Sequence, residues 1–176
     1  MQLVPALAAL FLLGGCWSGP AWFSAAEAVA VIPDGNYRLV ETGASPLQGD
    51  VLGITRQADG ALAVSGADNP LRAVIVPLDP ARPAGLYIVQ LEQIAEHPRN
   101  ALYMLLDNGG GRYRLTLLRC TSAAGDVAKE SGGHVSRDPQ SASSCIFADR
   151  ATLVTALRAA ADRPPAAELE LIPVAQ

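Results

Sequence analysis

The feature that most constrains this chain is a period of two. Tyr113, Leu115 and Leu117 alternate with Arg112, Arg114 and Thr116, which makes one face of an extended segment apolar and the other polar. Just upstream, Ala101 to Asp107 is apolar on both faces. Between the two runs lies Asn108-Gly109-Gly110-Gly111. Asn and Gly tolerate the positive φ of a tight turn, so the stretch reads as an antiparallel hairpin.

More runs of the same length follow this pattern. Leu71 to Leu78 and Leu86 to Leu91 are further runs rich in apolar, β-branched or aromatic residues, and Pro70, Pro77, Pro80 and Pro83 bound them as turn or edge markers. Weaker strands are expected at Tyr37 to Glu41, Val51 to Thr55 and Ala61 to Val64, with Asp59-Gly60 as the turn before the last. Gly35-Asn36-Tyr37, Gly85-Leu86-Tyr87 and Gly111-Arg112-Tyr113 repeat a motif, each followed by an aliphatic residue two positions after Tyr. Their unequal spacing excludes a solenoid, and they read as strand starts reused around a meander or barrel. One helix is expected at about 149–162: Asp149 is its N-cap, Leu153, Leu157 and Ala160 or Ala161 share a face, and Pro164-Pro165 stops it. Glu168 to Ile172 alternates as a final short strand. The fold class is therefore mainly β: a small antiparallel barrel or curved sandwich with one C-terminal helix.

The first residues carry a different signal. Leu3 to Leu13 is an apolar run of about a dozen residues, too short for a spanning helix of roughly 20 and of the size of a signal-peptide core. It leads directly into Leu13-Gly14-Gly15-Cys16. This tetrapeptide resembles the lipobox of bacterial lipoproteins, in which the cysteine is lipidated and becomes the first residue of the mature chain. The resemblance implies residues 1–15 as signal peptide and Cys16 as the lipid attachment site. Trp17, rather than Asp, follows the cysteine, which by the same resemblance implies an outer-membrane anchor facing the periplasm. A second cut is also compatible: Ala26-Glu27-Ala28 fits the small-x-small rule of ordinary signal peptidase. It would discard residues 1–28 and release a soluble periplasmic or secreted protein. Residues 16–32 are read as a tether whose Trp17, Trp22 and Phe23 suit the membrane interface, and residues 33–176 as a single β-rich domain of ordinary size.

Charge and cysteines narrow the function classes. The net charge is −4 with no basic patch, which argues against a nucleic-acid partner. Of three cysteines, Cys16 lies in the signal region, so Cys120 and Cys145 are left as a pair. In an oxidising compartment that pair reads as a disulfide. It would staple the ends of a polar excursion, Thr121 to Ser144, which has little to bury.

No motif of catalytic quality appears. His97, in Glu96-His97-Pro98-Arg99, reads as a turn residue. His134 and Ser131 lie in the polar excursion, poor support for a hydrolase site. The glycines at 109–111 are followed by no Lys-Ser/Thr, so they are not a phosphate loop. Arg112, Arg114 and Arg119 read as a solvated sheet face rather than a strip for an acidic partner. The chain is read as a non-enzyme without metal or cofactor: a membrane-tethered envelope module that binds an unknown envelope protein or plays a structural part. Two further readings are a secreted inhibitor of a protease or lysozyme, with the Cys120–Cys145 excursion as its insertion loop, and a carrier holding a small apolar ligand inside the barrel.

Overall fold

A computed structural model describes residues 16–45, 47, 49–66, 70–79, 85–93, 100–109, 112–120, 123–136, 144–163 and 169–175. The described chain starts with β1 (Trp17–Pro20) and a single 3-10 turn at Ala25–Glu27. A meander follows: β2 (Gly35–Glu41), β3 (Asp50–Arg56), β4 (Leu62–Ser65), β5 (Leu71–Pro77), β6 (Leu86–Gln93), β7 (Asn100–Asp107) and β8 (Tyr113–Leu117). Next come helix α1 (Ala123–Glu130), the short strands β9 (His134–Ser136) and β10 (Ser144–Ile146), helix α2 (Arg150–Asp162) and β11 (Leu169–Pro173).

Each meander strand pairs antiparallel with the next, and β11 lies between β2 and β8. Eight strands thus close into an antiparallel barrel, as the strand patterning implies. Closure removes the open edges that would otherwise invite other chains. The Gly-x-Tyr motifs open β2, β6 and β8, which run in the same direction around the ring. Tyr37 lies in the interior core, and Tyr87 and Tyr113 pack against it from the same end. The Tyr37 and Tyr113 rings meet edge to face at 6.0 Å, a favoured aromatic geometry. Asp59-Gly60 makes the expected turn: Asp59 accepts from the Ala61 amide at 3.1 Å, and Gly60 has φ +98°.

Two cores result. The first fills the barrel with alternate residues of every strand, among them Leu39, Leu52, Ile75, Val89, Leu106 and Leu171. The second lies outside, where Val74, Val76, Ile88, Tyr103 and Leu105 project outward from β5–β7 and pack with the helices and the N-terminal segment. Asp149 caps α2 by accepting from the Thr152 amide at 2.8 Å. Leu153, Ala156, Leu157 and Ala160 form the helix's buried stripe.

Two expectations need correction. Residues 16–32 are not a loose tether. They contribute β1 and the 3-10 turn, and Trp17 is 0 % exposed. The outward apolar wall of β6 and β7 explains this, because burying large rings against it is worth roughly 1.5–3 kcal/mol apiece. The excursion between the cysteines is also more than a polar loop. It contains a second helix, α1, with Ala124, Val127 and Ala128 buried at helical spacing. Small residues let this helix sit close: a Cβ added at Gly125 would lie 1.9 Å from the Cys120 carbonyl oxygen.

Candidate functional site

Cys16 and the disulfide meet at β1. The strand takes over the edge of β7 where β8 leaves it: Met104 to Asp107 pair with β8, and Asn100 to Leu102 pair with Pro20 to Ser18. On that side the Trp17 amide donates to the Leu118 carbonyl at 3.0 Å, and Cys16 bridges Arg119. On the other side β1 runs parallel to β10, and the Cys145 amide donates to the Cys16 carbonyl at 3.3 Å. Cys120 and Cys145 are disulfide-bonded with Cα atoms 5.4 Å apart, so the expected pairing is present. The bond joins the two backbones that flank the start of β1.

Beyond β1 the segment from Ala21 to Glu27 forms a strap, held by buried polar groups of the barrel wall. Gln90 is fully buried and mimics a strand partner. It accepts from the Phe23 amide at 2.8 Å and returns a bond to the Phe23 carbonyl at 2.9 Å. Tyr103 donates to the Pro20 carbonyl and accepts from the Trp22 amide. Burial pushes the Tyr103 hydroxyl well above the usual phenol range. Gln90 also donates to Glu92 at 2.7 Å. Glu92 is only 1 % exposed and pairs with Arg72 at 3.3 Å, while Arg72 reaches the exposed Asp59 at 2.8 Å. A buried carboxylate needs such a cation and hydrogen-bond donors to offset its desolvation. Hydrogen bonding from Arg72 holds Asp59 below the usual carboxylate range.

The rings expected at a membrane interface are instead part of this layer. Trp17 tilts against Phe147 at 5.1 Å, Trp22 stacks on Tyr103 at 5.8 Å, and Phe23 meets Tyr103 edge-on at 6.2 Å. Sequence patterning did not single out Gln90, Glu92 or Tyr103 as the strap's partners. The one available signal was Gln90 and Glu92, polar residues at alternate positions in the second half of β6, which ends on Gln93.

The remaining candidates are separate from this cluster. His134 is exposed on β9 and Ser131 follows α1; among the described residues no hydrogen bond joins them. His97 lies outside the described residues. Arg114 pairs with Asp107 at 2.5 Å and Arg112 faces Glu170 at 3.9 Å, so acids neutralise two members of the arginine strip. Arg119 is half-buried beside Cys16. No group of three metal-ligating side chains gathers among the described residues. Inside the barrel is a cavity of about 70 Å³ lined by apolar side chains such as Ile54, Val64, Val89 and Met104. No helix among the described residues is long and apolar enough to cross a membrane. The chain matches no protein-family model, no curated protein and no solved structure.

Proposed function

We propose that this chain is an exported envelope lipoprotein, anchored through lipid on Cys16, whose barrel body acts as a binding or structural module. The observation that supports this reading is the burial of Trp17, one residue after the lipobox cysteine. A cut after Ala28 would remove β1, Trp17 and Phe23, strip the outer core and leave Gln90 and Tyr103 without their strap partners. A cut before Cys16 keeps the layer whole. Cys16 is 9 % exposed. With no spacer between Cys16 and β1, the lipid would hold the domain close against the bilayer. More than one acyl chain on that cysteine suffices for stable anchoring, at about 0.8 kcal/mol per buried CH₂.

The test is the intact mass of the mature protein extracted from native membranes, with and without reductant. The expected species begins at Cys16, carries acyl chains and gains the mass of two hydrogens on reduction. A soluble species beginning at Val29 would overturn the anchor. In a parallel expression, Cys16→Ser should abolish the acylated form.

A further inference from the structure

The inside of the barrel is packed less tightly than its cover. Val74, Tyr103, Leu153 and Leu157 of the outer core are 0 % exposed. Val89 and Met104 face the interior from the middle of β6 and β7, opposite one another, and keep 5 % and 6 % of their surface. Their neighbours Ile88 and Tyr103 are sealed under the second layer. The surface that Val89 and Met104 keep therefore belongs to the barrel interior, where both line the cavity of about 70 Å³.

Every side chain on the cavity wall is aliphatic, apart from the thioether of Met104. The strand amides and carbonyls around it are spent in the closed ladder. A water held there would lack the polar partners that it needs, so the space stays dry. Its volume limits the guest as its chemistry does. An apolar cavity of about 150 Å³ admits benzene or xenon, and this one is about half that size. Ala73 is the smallest residue on the wall and sits between Leu62 and Leu91 on the neighbouring strands. Met104 is unbranched and can shift to fit a guest.

We propose that the barrel interior is a binding site for a small apolar molecule, one of a few heavy atoms with no hydrogen-bonding group, held by contact with aliphatic side chains alone. The inference names a ligand class for the barrel body. It rests on the reading of that body as a binding module, and it does not depend on lipid at Cys16.

Xenon is the probe. Methyl spectra of isotope-labelled protein under rising xenon pressure should show saturable shifts at Met104, Val89 and Val64. Methyls of Val74, Leu153 and Leu157 in the outer core should not move. Ala73→Val adds bulk to the wall and should lose the saturable shift, with circular dichroism unchanged. Leu52→Ala tests the same space from the other direction, should the first variant not fold. It enlarges the cavity and should gain saturable binding of benzene, which the wild-type cavity is too small to hold. Shifts that grow linearly without saturating, equal shifts in both cores, xenon binding retained by Ala73→Val, or no benzene binding by Leu52→Ala would each overturn the proposal. The anchor is read separately, on the mass of the extracted protein. An acylated Cys16 in a protein that binds no xenon rejects the cavity and keeps the anchor; saturable xenon binding in a protein that begins at Val29 does the reverse.

Discussion

The two sides of the barrel obey different rules. On β3 and β8, and on β2 up to Leu39, the buried positions alternate with exposed or half-buried ones, because one face meets the interior and the other meets water; Val40 on β2 departs from this by being buried as well. On β5, β6 and β7 nearly every central residue is buried. Val89 and Leu91 face inward while Ile88, Gln90 and Glu92 face outward under the second layer. The same secondary structure therefore produces two sequence textures. A run that is apolar on both faces announces a covering layer, as in sheets buried on both sides. It does not say what the cover is. Here the cover combines Trp17 and Phe23 from one end of the chain with α1, β10 and α2 from the other.

The contrast can be broken most forcefully at Trp17. Trp17→Ala should cost about 3–5 kcal/mol in urea unfolding, whereas Thr116→Ala, half-buried on β8, should stay within about 0.5 kcal/mol. Equal effects would mean that the outer layer is not part of the same folding unit. Next comes Gln90→Ala, which leaves the Phe23 amide and carbonyl without partners on the covered wall. The expected cost is about 1–3 kcal/mol, with faster hydrogen exchange at the Phe23 amide; unchanged protection there would refute the clamp.

The smallest effect belongs to Glu27, at the edge of the cover. Hydrogen bonding from Arg150, then from the Ser24 amide, lowers its pKa below the ordinary 4.5. A lowered carboxylate pKa contributes stability above the unfolded value and loses it as pH falls through the folded one. Glu27→Gln should therefore destabilise by less than about 1 kcal/mol at neutral pH, since the pair is solvent-accessible. Measured from pH 7 downward, the difference should close below pH 4.5. A gap that persists in acid would assign the effect to packing rather than charge.

The bare side of the barrel was legible in the sequence because each strand carries its own signal. Alternation marks β8, the Asp59-Gly60 turn precedes β4, and Gly-x-Tyr opens three strands that share a direction. Helix α2 was equally readable, since Asp149 and the Leu153–Leu157 spacing are local. The rest of the cover was not, for a physical reason: its signals become meaningful only in contact. Trp17, Trp22 and Phe23 suit a bilayer interface as well as a protein core, and their partners lie on β6 and β7. Helix α1 has one large apolar residue, Val127, so its stripe of alanines carries almost no periodic signal. Strands of three residues, like β9 and β10, are too short to show a period at all.

The position of β11 sets the timing of folding. The meander from Gly35 to Leu117 is a curled sheet with two open edges, and only Leu169–Pro173 bridges β2 to β8. A chain that emerges N-terminus first has no closed barrel until that segment arrives. Contacts between distant parts of a chain form slowly, and here the decisive one is also the last to be delivered. The topology thus makes closure of the barrel wait for a strand far along the chain from its partner β2.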